Sequence, residues 1–422
     1  MNDRELLESM VCRLGSELEG ILQQLQRGEL RVEVLEWVLR DRLWHVGAQA
    51  LGVMLEALDG QLAAGRRVHD HRTRTIVSLF GPLDVARSRC DGPDGQVCPL
   101  DRAIGLDGQR GWTAGVQEAA SLLSCDSSFE TVADELDRLL GLSISPRTVQ
   151  QLAEDAGRRA AAIPAVSPPA RAPDTLIVAV DGCLAPQRDG WREVKLATLY
   201  PQASRVRTAG GRGRLRTKEY VGTLDDARRF GERLYRHAER WDVEHVPRVV
   251  VMGDGAPWIW HLAEMHFPDA VEIVDFYHAA EHLWEVGEAL WGDRQTSVRT
   301  RSWVRRYRRY LRDGRVDLVI GAIDRSRHQQ DAVLSAERRA TVRLNRAYFE
   351  RNAWRMRYSR FRQMGLPIGT GAVEGACKHV VQSRFKRAGM RWSDPGLRSM
   401  LALRLLRLND RWEQLWPHHK AA

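Results

Sequence analysis

The 422 residues carry 64 basic and 55 acidic side chains, a formal net charge of +9, and 43% apolar residues. That length accommodates two or three domains with full cores, and the composition is that of an ordinary globular chain. No apolar run approaches the length of a bilayer span, "MNDRELLESM" lacks the basic and apolar regions of a secretory leader, and the cysteines at 12, 90, 98, 125, 183 and 377 form no disulfide framework. The expectation is a cytoplasmic protein with reduced thiols and no membrane partner.

The charge is unevenly spread. Between Arg294 and Arg362 stand twenty arginines and six acids, a local excess of fourteen that leaves the rest of the chain at about −5. One segment holds the whole basic balance, which points to a phosphate-rich partner. The choice of arginine itself, 59 against 5 lysines, says less, because coding bias and solvated helix faces produce it too.

In chain order, residues 1–66 are predicted helical, since "ELLESMVCRLGSELEGILQQL" and "VLEWVLRDRLWHVGAQALGVMLEAL" space apolar residues three and four apart. Over 67–126 the period changes. Thr75–Phe80 and Leu83–Arg87 read as two short strands about a Gly-Pro turn. Cys90 and Cys98 flank "DGPDGQV", with His69 and His71 upstream, but the spacing matches no usual zinc signature, so two loop cysteines are the simpler reading. Residues 127–162 form a second small unit. A helix over Phe129–Leu140 ends at Gly141, Ser145 is an N-cap, and Pro146 opens the next helix. This helix-turn-helix pattern sets Arg147, Thr148 and Gln151 on a leading turn suited to reading DNA, with plain scaffolding as the alternative.

Four prolines in 163–175 mark a linker. After it "TLIVAVDG" and "REVKLATLY" are strand-like, and "TAGGRGRLRTKEYVGTL" leads through a glycine-rich basic turn to a third strand. "DDARRFGERLYRHAERW" is a helix, "RVVVMGDGA" a fourth strand, "PWIWHLAEMHF" a short helix and "AVEIVDFYH" a fifth strand. The order β-β-β-α-β-α-β implies an α+β unit with a mixed sheet. A helical pattern runs from Ala279 to about Met364. "GTGAVEGACKHVVQSRFKRAG" and "PGLRSMLALRLLRLNDRWEQLW" then supply two more helices.

Two strands end in Asp-Gly, at Asp181 and Asp254. Acids at strand ends lie on a sheet rim, where two neighbours can share divalent cations. Either site alone is more simply a strand-ending turn; the pair together with the basic segment reverses that preference. Glu374 is the third acid, at the edge of a helical stripe of Val373, Cys377, Val380 and Val381. In "RTRSWVRRYRRYLRDGR", Trp303, Tyr307 and Tyr310 have the spacing of a core stripe, while Arg301, Arg305 and Arg308 are candidates for phosphate contact. The H-x-x-E-H of His278, Glu281 and His282 imitates a zinc-peptidase motif. A helix from Ala279, however, puts Ala279, Leu283, Val286 and Leu290 on the core and Glu281 nearly opposite, so zinc is not expected.

Taken together, "VDG", "VVMGDGAPWIWHLAEMHFPDA", "VDFYHAAEHLWEV", "PIGTGAVEGACK" and "RFKRAGMRW" resemble the catalytic half of ISKra-type insertion-sequence transposases, from about Asp181 to Trp416. The resemblance implies an RNase H-like core of the DDE group, related to mutator-like transposases, in segments 176–291 and 366–422, with a basic all-α insertion over 292–365. It carries the catalytic and metal-binding triad onto Asp181, Asp254 and Glu374, holding two Mg²⁺ (or Mn²⁺). Asp275 and His278 match the family's accessory Asp-x-x-His, and Arg384 and Lys386 are assigned to DNA. The expected function is cleavage and strand transfer at the terminal inverted repeats of an insertion sequence, with double-stranded target DNA as second partner and a homodimer or higher oligomer as the working form. The alternatives are a non-catalytic DNA-binding descendant of a transposase and a structure-selective nuclease using the same site.

Overall fold

The computed structural model describes residues 3–92, 95–106, 111–164, 172–207 and 213–417. The chain divides into two compact units, Met1–Ala156 and Gly157–Ala422. The division precedes the proline-rich stretch, of which residues 165–171 lie outside the described residues. No helix among the described residues is long and apolar enough to cross a membrane.

The first unit opens with helices α1 (Asp3–Gln26) and α2 (Val32–Ala63). An antiparallel hairpin of β1 (Val68–Ser78) and β2 (Gly81–Gly92) follows, extended by a short β3 (Gly95–Val97). Both long strands exceed the predicted lengths, and the turn is Leu79-Phe80 instead of Gly81-Pro82. Gly81 pairs with Ser78 at φ 104°, a backbone angle that side chains resist, so it opens the second strand. Leu51, Leu55, Leu58 and Leu62 of α2 cover Ile76, Leu83 and Val85. Glu56 and Asp59 of the same helix accept from the N–H groups of Ala86 and Ser88 at 3.0 and 2.8 Å, satisfying β2 backbone that β3 does not reach. Cys90 is buried, and His69 pairs with Asp91.

After α3 (Pro99–Ala103) and α4 (Ala114–Ser124) comes α5 (Phe129–Leu140), which ends as predicted at Gly141 in a left-handed conformation. Helix α6 (Pro146–Ala162) begins where its sequence signals it, the N–H of Thr148 donating to the Ser145 hydroxyl at 3.2 Å. Val132, Leu136, Leu142, Ile144 and Val149 form the core of this helical part.

The second unit is built on β4 (Leu176–Gln187) and β5 (Gly190–Pro201). A small hairpin of β6 (Arg205–Arg207) and β7 (Gly213–Leu215) comes next, then β8 (Glu219–Thr223), β9 (Val249–Gly253) and β10 (Val271–Val274). Five of these strands form one mixed sheet, ordered β10-β9-β4-β5-β8. The β4–β5 and β5–β8 pairs are antiparallel, while β4–β9 and β9–β10 are parallel. Leu176 to Val180 are all fully buried, the continuous apolar run that a central strand covered on both faces requires. The outer edge of β8 is closed by Asn409, whose amide bonds the N–H and C=O of Tyr220, both at 2.8 Å.

Helices surround the sheet: α7 (Ala227–Ala238), α8 (Pro257–His266), α9 (Phe276–Trp291), α10 (Val298–Arg312), α11 (Val316–Gln330), α12 (Ala336–Arg351) and α13 (Tyr358–Gln363). Trp303, Tyr307 and Tyr310 of α10 pack on the core, as their spacing predicts. The last part is less regular than its sequence suggests. Helix α14 (Gly371–Ala376) passes into a π-helical segment, Cys377–Gln382, before α15 (Ser383–Phe385) and α16 (Asp394–Leu408). A π segment mismatches the regular carbonyl ladder. Here Arg404 of α16, only 2% exposed, donates to the carbonyls of Val380 and His379 and to the Ser383 hydroxyl. Replacing it by an apolar chain leaves buried carbonyls without those donors. Arg404→Met is therefore expected to lower stability by roughly 2–4 kcal/mol, read as a lower urea midpoint with unchanged slope.

Candidate active site

Ala179 of β4 stands opposite Met252 of β9 in the last pair of their parallel ladder. Two residues further along each strand, Asp181 and Asp254 fall at the same level, just where the pairing has stopped. The sequence condition, that the two Asp-Gly strands be neighbours, is met. Asp181 accepts the N–H of Gly182 at 2.7 Å on one oxygen and the Cys377 thiol at 3.5 Å on the other. Burial raises its pKa above the usual 3.8 and the nearby negative Asp254 adds to the rise, against the Gly182 and Cys377 bonds and the charge of His278.

Asp254 accepts the N–H of Ala256 at 2.8 Å, and its carbonyl accepts the Tyr348 hydroxyl at 2.7 Å. Gly255 is required here twice over. Its φ is 104°, and a Cβ would lie 2.5 Å from the Tyr348 ring. Burial, with Asp254 and Asp275 nearby, raises the Tyr348 pKa, which keeps the phenol a donor. Its ring lies 3.7 Å from that of His282, whose Nδ1 meets the Asn345 side-chain oxygen at 2.6 Å. Burial pushes His282 below 6.5, so it is neutral at physiological pH, with the exposed His278 ring 5.1 Å away.

The Asp-x-x-His pair is not at a strand end, as predicted, but at a helix start. Strand β10 stops at Val274 and Asp275 caps α9, one oxygen accepting the N–H of His278 at 2.8 Å. The other oxygen accepts both the N–H and the hydroxyl of Thr370, and the N–H of Phe276 reaches the Ile368 carbonyl at 2.8 Å. Asp275 is thus a positioning residue that ties the segment before α14 to α9. Tyr277 covers Gly369, where a Cβ would come within 2.8 Å of its ring. The H-x-x-E-H lies wholly inside α9: its predicted core stripe is buried, and Glu281 faces outward to pair with Arg294 at 3.0 Å.

Glu374 stands one turn before Cys377 on a helix that packs against β4 and β5. Its predicted stripe of Val373, Cys377, Val380 and Val381 is buried, but Glu374 itself is exposed and bonded to Lys378 at 2.7 Å. The lysine four residues on holds it at the surface. Among the described residues no three histidine, cysteine or acidic groups converge as a metal ion would need. The structure therefore brings the two aspartates together and leaves the glutamate outside.

Arg147 is exposed on the first turn of α6, and Thr148 is engaged with Ser145 in the cap. Arg301 donates to the carbonyls of Arg294 and Gln295 at 3.0 and 2.7 Å. Arg305 and Arg308 are exposed on a groove of about 470 Å³ shared with Arg309 and Arg312. Among the described residues, none of the arginines of α10 forms an ion pair with a carboxylate. Arg384 must be reassigned: it is 1% exposed, over the Trp392 ring at 5.0 Å, and serves the interior instead of a DNA surface. Lys386 is exposed near Trp191. Sequence reasoning missed Cys377 and Tyr348 as neighbours of the acids. Only the place of Cys377 on the α14 stripe signalled it.

A mixed five-stranded sheet with paired rim aspartates places the chain among α+β proteins with several parts. It belongs to UPF0236, described as an uncharacterised protein family, whose model matches residues 25–414. It is also 23% identical, over 399 residues, to a "UPF0236 protein in vanSb 3'region" of Streptococcus gallolyticus; the match covers 90% of this chain and 83% of that protein.

The raised pKa of Asp181 carries a stability consequence. The fold holds this proton more tightly than the unfolded chain does, so ionisation works against folding as pH rises above 3.8. Asp181→Asn is expected to raise Tm at neutral pH, and the gain should vanish in melts at pH below 3.8.

Proposed function

We propose that the chain is a DDE-type DNA transposase, acting on DNA ends through Asp181, Asp254 and Glu374. The observation that carries this reading is the adjacency of Asp181 and Asp254 on parallel strands, at the point where those strands separate. The strand order supports it: three strands paired antiparallel and two added in parallel, in the order 3-2-1-4-5, are compatible with the RNase H-like core that the resemblance implies. The all-α stretch between Asp254 and Glu374 then corresponds to an insertion in that core.

The donor set fits Mg²⁺ or Mn²⁺. All three groups offer hard carboxylate oxygens, and a half-buried aspartate destabilised by a second one would be relieved by a nearby cation. Asp181 and Asp254 would hold the ions, and Glu374 would complete the set by leaving Lys378 and turning toward the rim. Two such ions supply the charge that activates a water or a DNA 3′-hydroxyl and stabilises the leaving oxygen. Asp275 fixes the segment that carries Glu374, and the Tyr348 hydroxyl fixes the backbone of Asp254. The unpaired α10 arginines would take DNA phosphates, with Arg147 and its turn as a second contact. Two DNA ends call for at least a dimer.

The Glu374–Lys378 pair favours a second reading, a non-catalytic DNA-binding descendant of such an enzyme. Cleavage of end-containing DNA separates them. Asp181→Ala, Asp254→Ala and Glu374→Ala are each expected to lower Mg²⁺-dependent cleavage roughly a thousandfold or more, while end binding changes only a few-fold. Full activity in any one of them, or wild-type protein that binds ends and cuts none, overturns the catalytic assignment.

A further inference from the structure

A second basic concavity of the second unit is lined by neither the aspartates nor the α10 arginines. It is a groove of about 1060 Å³, walled by the β6–β7 hairpin and floored by α14. Arg205, Arg214, Arg216 and Lys218 line it, all exposed. Among the described residues no acid lines the groove, and none of the four cations has an ion-pair partner.

A solvated basic hairpin needs neither a concave shape nor a fixed wall, and this one has both. The N–H of Arg216 bonds the Ser204 carbonyl at 3.0 Å, and the Gln202 amide donates to the Gly365 carbonyl at 2.8 Å. The floor is Gly371 and Gly375, one turn apart, and a Cβ on either would meet nothing within 4 Å. Bare helix backbone is thus open to a bulky ligand. A cleft lined by charge of one sign concentrates its field on a polyanion. Four cations along one wall suit a chain of phosphates better than a single anion.

We propose that this groove binds the sugar–phosphate backbone of a DNA segment, a contact separate from the α10 arginine stripe. Its ligand rests on the DNA reading above, but not on the chemistry of the acids. Helix α14 and the π-helical turn after it link the groove to the acids: Val373, Ala376 and Cys377 pack inward while Gly371 and Gly375 face the groove. DNA held there runs along the helix that carries Glu374.

The test is fluorescence anisotropy of the full-length protein with a labelled duplex, titrated across salt concentrations in EDTA, so that no cleavage occurs. Removing three phosphate contacts, as in the triple variant Arg205→Ala, Arg216→Ala, Lys218→Ala, should cut affinity about tenfold or more and make the log–log salt slope shallower by roughly 2 to 3. Gly375→Met keeps the charge and fills the floor, so it should weaken binding several-fold with the slope little changed. Combining the triple variant with Arg305→Ala and Arg309→Ala should add a further loss. Circular dichroism and melting curves confirm folding of each variant. An unchanged slope in the triple variant, no effect of Gly375→Met, or no added loss in the combination each overturns the separate groove. Protein that shows these binding changes but never cleaves DNA refutes the transposase reading and leaves the groove standing.

Discussion

Both carboxylate oxygens of Asp275 are bonded inside the protein, one to the first turn of α9 and the other to Thr370 just before α14. Its own N–H bonds the Gly253 carbonyl at 2.8 Å, at the end of β9. One residue therefore joins three things: the strand that delivers Asp254, the helix that carries His278 and His282, and the segment that leads to Glu374. A buried carboxylate is tolerated only when such bonds replace its water, and every one of them fixes backbone. The geometry of the rim follows from this junction more than from any residue that would touch a substrate.

Charge is arranged around the junction in two opposite ways. At the rim, Asp181 and Asp254 are drawn together by strand pairing against their own repulsion, and burial sharpens that repulsion. Away from the rim, the α10 arginines Arg305, Arg308, Arg309 and Arg312 and the groove cations Arg205, Arg214, Arg216 and Lys218 remain exposed without carboxylate partners among the described residues. Elsewhere arginines are neutralised locally, as in Arg355 with Glu272 and Arg346 with Asp324. The contrast matters, because an uncompensated cation costs the fold little in water and gains most from an external polyanion.

Much of this was legible in the sequence wherever the signal is local. Gly141, Ser145 and Pro146 mark their helix ends because capping depends on a few adjacent residues. The five strands and their order along the chain were readable, as was the core role of Trp303, Tyr307 and Tyr310, since burial imposes a period. The start of α9 was misplaced by about three residues. "VDFYH" has the apolar and aromatic character of a strand, and only the bond from Asp275 to the His278 N–H makes it a helix cap. The π-helical segment left no mark, because its stability comes from Arg404, on another helix.

By itself the sequence determined the types of element, the residue types available for chemistry and the concentration of arginine in one segment. These follow from periodicity and composition, which need no knowledge of neighbours. Tertiary structure alone decided which of those residues meet. It set Asp181 level with Asp254, brought Tyr348 to the Asp254 carbonyl across 94 positions, buried Arg384, and turned Glu374 toward Lys378. Each outcome depends on packing between segments far apart in the chain, where a shift of one residue or one rotamer changes the partner and leaves the local pattern unchanged.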